Sequence, residues 1–177
     1  DGMRVKTVQG KHITIKIQNG NVYVDNAMVT TADIECSNGV IHVINAVIVP
    51  KNNIVETAIS NADFETLVTA VVAADLAGTL SNEDAQFTVF APTDAAFAAL
   101  DPTFLANLVN NDTANLTKIL TYHVVSGKTM STALSDDMTI ATVEGTTINI
   151  TIDNGKVYVN DAMVTLADIE CSNGVIH

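Results

Sequence analysis

Tryptophan is absent from the 177 residues, cysteine occurs twice and proline three times. Two cysteines are too few for a disulfide-stapled scaffold, and three prolines exclude a proline-rich linker or collagen-like chain. Positive charge is also scarce: 8 Lys and Arg stand against 20 Asp and Glu, a net charge of −12. That balance argues against nucleic acid and anionic membrane surfaces as partners. No hydrophobic run approaches the length of a membrane span, so membrane insertion is not expected. The motifs of common chemistries are missing as well. Neither Cys-x-x-Cys nor His-x-x-x-His occurs, and there is no glycine-rich phosphate loop or nucleophile elbow. The histidines, His12, His42, His123 and His177, form no constellation with a nucleophile. The pairs Glu83-Asp84 and Asp136-Asp137 lack the alternating oxygen ligands of a calcium loop and read as solvated turns. No enzyme activity, cofactor or metal is therefore expected.

What is present is apolar material and a repeat. Hydrophobic residues make up 47% and charged residues 16%, enough for a sizeable core. Residues 1–42 align without a gap on 136–177 at an offset of 135, and "ADIECSNGVIH" is identical in both. The repeat length matches one ordinary domain. Residues 1–50 then read as the strand-rich C-terminal part of a preceding unit, and 51–177 as a unit lacking its last strand. Cys36 and Cys171 occupy the same position in the two copies, in an apolar-alternating run where a small buried thiol is expected, the alternative being a disulfide between units. Residues 1–50 carry four basic and four acidic groups, which leaves the whole net charge on 51–177. Arg4, Lys6, Lys11 and Lys16 correspond to Thr139, Ala141, Thr146 and Thr151. This is either neutral surface drift or a basic patch on one unit meeting an acidic patch on the next.

Periodicity divides the unit in two. Lys51 to Leu80 is predicted helical, with Asn53 and Glu56 spaced as a capping box and Phe64, Leu67, Val68, Val71 and Val72 at helical intervals. "FTVFAP" reads as a short strand, Thr93 as the N-cap of the next helix and Pro102 as the opening of another. "ANLTKILTYHVV" passes from helix to strand. From Met138 the period becomes two, with turns at Gly145, Asn154-Gly155 and Asn173-Gly174. Helices followed by a block of antiparallel strands is an α+β pattern. Because residues 1–42 repeat only the strand block, their apolar face is expected to need cover from another segment or chain.

"FTVFAPTDAAFAAL" (Phe87–Leu100) resembles the first signature of the fasciclin domain, "SNGVIHVINAVIVP" (Ser37–Pro50) its second, and Tyr122-His123 the Tyr-His pair between them. "NIVETAIS" and "ADIECSNGVIHVI" look most like bacterial or archaeal members with tandem repeats. The resemblance implies a fasciclin-like α+β fold, an antiparallel β-sheet wedge with a helical layer. It also implies a secreted or surface-held protein of adhesion and matrix assembly. Thr93 and Asp94 would organise the turn after the first signature strand. His123 would be a largely buried hydrogen-bonding residue, and Tyr122 and His123 are the positions to which a binding role carries over. The expected partner is a copy of itself or a neighbouring fasciclin-like repeat. Units would join head to tail in a fibre or surface array, either by covalent continuation or by strand donation. In the second case Val43, Ile44, Asn45, Ala46, Val47, Ile48, Val49 and Pro50 of one molecule would supply the last strand of another. The alternative is a monomeric cell-surface module binding a protein, a carbohydrate or a small ligand.

Overall fold

The structure, a computed structural model, describes residues 2–177. It divides into a first unit ending at Lys51 and a second spanning Asn52–His177.

The first unit is an antiparallel meander, β1 (Met3–Lys6), β2 (His12–Gln18), β3 (Asn21–Val24), β4 (Ala27–Cys36) and β5 (Gly39–Ile44), hydrogen-bonded in that order. Asn19 and Gly20 close the β2–β3 hairpin with φ of 51° and 79°. Both residues are left-handed, as a two-residue hairpin of this hand requires. The alternating apolar residues of these strands do not make a core: among the described residues of this unit, only Ala27 is buried. Ile34, Val40, Ile41 and Val43 are each more than 40% exposed. Cys36 is exposed too, which corrects the expectation of a buried thiol: the described residues of this unit are all strands, turns and loops and supply no helical layer to cover it.

The second unit begins with helices. The run expected as one helix is broken into α1 (Ile54–Ile59), a 3₁₀ turn at Ala62–Phe64, α2 (Glu65–Ala73) and α3 (Ala77–Leu80). Asn53 and Glu56 make the full capping box on α1. Asn61 causes the first break by accepting from the Asp63 amide, and Asp75, at φ 56°, ends α2. Then come β6 (Phe87–Val89), α4 (Asp94–Ala98), α5 (Pro102–Asn111), α6 (Thr113–Tyr122) and β7 (Val124–Ser126). The strand block follows as β8 (Met138–Ala141), β9 (Thr147–Asp153), β10 (Lys156–Val159), β11 (Ala162–Met163), β12 (Ile169–Cys171) and β13 (Gly174–Ile176).

These strands form two four-stranded sheets, β11-β10-β9-β8 and β12-β13-β6-β7. All pairs are antiparallel except β13 with β6, so the two signature strands run side by side in parallel. The α+β class holds, with that one parallel pair added to the expected antiparallel block. On one face of the second sheet the helices bury Ile54, Leu67, Ala70, Leu116 and Leu120 against Val89, Val124 and Ile176. Between the two sheets lie Phe90, Val125, Leu134, Ile148 and Ile150.

Candidate functional site

The first-signature residues position helices. Thr93 caps α4 by accepting from the Ala96 amide at 3.3 Å. Asp94 does more than complement its own helix: its carboxylate accepts from the amides of Thr66 at 2.8 Å and Glu65 at 3.3 Å, at the start of α2. Those bonds, the Thr66 amide first, hold the Asp94 carboxyl below the usual carboxylate range. Tyr122 ties α6 to the strand block. Its hydroxyl donates to the Thr147 carbonyl at 3.2 Å and accepts from Asn160 Nδ2 at 3.0 Å. Asn160 in turn accepts from the Asn149 amide, as Asp25 does from Thr14 at the same place in the first unit. His123 is half-buried rather than largely buried, with Nδ1 2.7 Å from the Ile119 carbonyl and its ring edge-on to Tyr122. The Tyr-His pair thus makes structural bonds to backbone on two sides.

The polar centre lies at the second signature. Asn173 is fully buried; its Oδ1 accepts from the Ile54 amide at 2.9 Å, and its Nδ2 donates to the carbonyls of Leu80 at 2.7 Å and Asn82 at 3.2 Å. A single side chain therefore joins the start of α1, the end of α3 and the turn before β6 to β13. Ser172 Oγ donates to Glu83, and Cys171 Sγ lies 3.3 Å from Thr57 Oγ1. His177 stacks on Phe90 at 5.5 Å, accepts from the Asp168 amide at Nδ1 and faces the Thr129 carbonyl at 2.9 Å with Nε2. These partners select the neutral tautomer with its proton on Nε2. Gly174 is required by close approach, since a Cβ there would stand 2.0 Å from the Phe87 carbonyl oxygen.

Both acidic pairs lie in turns, as the sequence suggests, and one member of each also accepts a hydrogen bond. Asp136 accepts from the Ile152 amide at 2.7 Å, and Glu83 from Ser172. Asp168 receives both the amide and the hydroxyl of Ser131. The Ser131 hydroxyl, then its amide, hold the Asp168 carboxyl below its ordinary value. Such a group adds stability above its unfolded pKa of about 3.9 and loses it as pH falls through the depressed folded value. Resistance to urea should therefore fall as pH drops below about 4, and Asp168→Asn should lose stability at neutral pH while flattening that acid dependence. An unchanged acid slope in the variant would reject this role for Asp168.

Among the described residues no three His, Cys, Asp or Glu side chains converge on a metal position. Inside the helical layer an apolar cavity of about 40 Å³ touches Val71, Val89, His123 and Ile176. It is about an order of magnitude smaller than small-molecule pockets. A wider, shallow groove of about 460 Å³ runs between α2 and α5, with Glu65, Thr66, Thr69 and Asn110 beside Pro102 and Leu105. No helix among the described residues is long and apolar enough to cross a membrane.

Of the expected assembly segment, Val43 and Ile44 complete β5, while 45–50 lie outside any strand, with Val47 90% and Val49 75% exposed. Asn45 exchanges two hydrogen bonds with the Met28 backbone.

Comparison with known proteins agrees with this geometry. Residues 1–50 and 62–177 match the family model of the fasciclin domain. A Synechocystis protein, sll1735, is 49% identical over 125 residues, covering 71% of this chain and 92% of that protein. Transforming growth factor-beta-induced protein ig-h3 of Oryctolagus cuniculus is 34% identical over 161 residues, 90% of this chain and 23% of that protein. The solved FAS1 domain pair of the insect cell adhesion molecule fasciclin I covers 99% of this chain, and this chain 69% of it. The TM-score is 0.64 at 22% identity, a likeness of fold.

Proposed function

Because the chain belongs to the fasciclin domain family, we propose that it is an extracellular structural protein of adhesion, secreted or surface-held, whose fasciclin-like units assemble head to tail. The observation that carries this reading is the first unit's sheet, which presents Ile34, Val40, Ile41 and Val43 to solvent and buries Ala27 alone. An exposed apolar sheet of this kind is an association surface, and non-closing repetition of one contact yields filaments. Charge favours the same polarity: residues up to Lys51 hold five basic and four acidic groups, Asn52 onward three and sixteen. Unlike ends attract and like acidic ends repel.

Strand donation has a register. In the first unit Val43 pairs with Thr31 and Ile44 with Val29. The equivalents of Thr31 and Val29 are Leu166 and Val164, which lie outside any strand in the second unit, with Leu166 57% exposed. In the assembly reading, Val43 and Ile44 of a neighbouring unit would pair at Leu166 and Val164 in this register. Light scattering on the 177-residue chain over about a hundredfold range of concentration tests the reading by mass action. Apparent mass should rise with concentration and fall when Val43 and Ile44 are both replaced by Asp. A monomer throughout would turn the reading to a monomeric surface module for a protein, a carbohydrate or a small ligand.

A further inference from the structure

The segment Ala32–His42 is identical in sequence to Ala167–His177, yet the two copies meet opposite surroundings. In the second unit the segment fills a slot lined by α1, the end of α3 and β6: Asn173, Val175 and Ile176 are at most 1% exposed, and Cys171 is 4% exposed. In the first unit Val40 and Ile41 are each 54% exposed and Ile34 is 41% exposed.

Despite that exposure, the first copy already holds the bound conformation. Ile34 pairs with Ile41, Glu35 with Val40 and Cys36 with Gly39, matching Ile169 with Ile176, Glu170 with Val175 and Cys171 with Gly174. The Asp33 amide donates to His42 Nδ1 at 3.3 Å, as Asp168 does to His177 at 3.2 Å. Asp33 and Asp168 have φ of 58° and 61°. Cys36 Sγ approaches the Ile34 carbonyl at 3.8 Å, and Cys171 Sγ the Ile169 carbonyl at 3.7 Å. A segment held in its docked shape loses little entropy on docking.

We infer that Ala32–His42 of one molecule exchanges for Ala167–His177 in the slot of a second copy of this chain. The inference rests on the assembly reading and deepens it by naming the surface. In such an exchange His42 takes the place of His177, and Val43 follows it. Donation of Val43–Pro50 is thus the tail of a longer exchanged piece, Ala32–Pro50. Identical residues make identical contacts in the slot, so exchange trades one set for an equal one, as in domain swapping. The irregular register of β4 between Val29 and Ile34 supplies the hinge.

Close approach gives a sharp discriminator. Gly174 has the Phe87 carbonyl against it, whereas Gly39 has nothing within 4 Å. Gly39→Ala should leave the first unit unchanged and bar its segment from the slot, while Gly174→Ala should weaken the resident copy and favour the incoming one.

The experiment is a thiol trap in the full chain. Thr57 lies against Cys171, so Thr57→Cys alone, mildly oxidised, should close a disulfide within the second unit and report that the slot geometry is right. In Thr57→Cys with Cys171→Ser, checked for native circular dichroism, peptide mapping of the oxidised dimers separates the introduced thiol joined to Cys36 from pairs of like thiols, and only the mixed pair reports exchange. Interchain disulfide dimers should form in proportion to concentration, fall at least about tenfold with Gly39→Ala and rise with Gly174→Ala. A link only within single chains overturns the second copy as partner. Assembly by light scattering without any disulfide overturns exchange and leaves the assembly reading standing. Absence of both overturns both.

Discussion

Asn173→Ala should destabilise the second unit by about 3–5 kcal/mol, while Asn38→Ala, at the equivalent position, should change stability by less than about 0.5 kcal/mol. The asymmetry follows from partners. Asn173 is fully buried and holds the Ile54 amide and two carbonyls, of Leu80 and Asn82. Truncation strands these groups where water does not reach, at about 1–3 kcal/mol for each one left unpaired. Asn38 is exposed in its turn and can exchange bonds with water. Urea unfolding at a concentration where the chain is monomeric measures both. A midpoint shift of similar size in the two variants would mean that the first copy of the segment is covered in solution.

The contrast shows what could be read from letters and what could not. The capping box at Asn53 and Glu56, the N-cap at Thr93 and the Asn154-Gly155 hairpin are local devices, closed within a few residues, and the structure has them where the spacing puts them. The α+β order was legible for the same reason. The parallel pairing of β13 with β6 was not, because its partners lie 87 residues apart, Gly174 opposite Phe87, and no local pattern encodes it. Nor was the reach of Asp94 to α2: an acidic residue in a first turn explains itself locally, which hides a partner 28 residues away. The fate of the cysteines is the clearest case. Cys36 and Cys171 share flanking sequence on both sides, yet one is exposed and one buried. Burial here belongs to the elements that cover the segment, and only one copy has them. Of the candidate site, the signature positions are visible as motifs, but Asn173, with its three bonds across the fold, reads in the sequence only as half of a turn.

Ile150→Ala should cost the second unit about 2–5 kcal/mol, against less than about 1 kcal/mol for Ile15→Ala in the first. Ile150 is 0% exposed between the two sheets, packed with Phe90, Val125 and Leu134, so truncation leaves a cavity as well as losing transfer energy. Ile15 occupies the same place in β2 that Ile150 occupies in β9, with the same hairpin beyond it, and is only half-buried. Phe90, Val125 and Leu134 come from 52–135, which the first copy of the repeat does not include. Ile15 therefore lacks that packing, and shortening its half-buried side chain costs less. Thermal unfolding followed at two wavelengths, one for the helices and one for the strands, separates the units. For Ile150→Ala the helical signal should melt earlier together with the strand block it packs on, since Phe90 and Val125 sit on or beside strands that also carry the helical layer. Helices that melted at their original temperature would show that the two cores of the second unit unfold independently, and the parallel β13–β6 pair would then be a joint between separable layers.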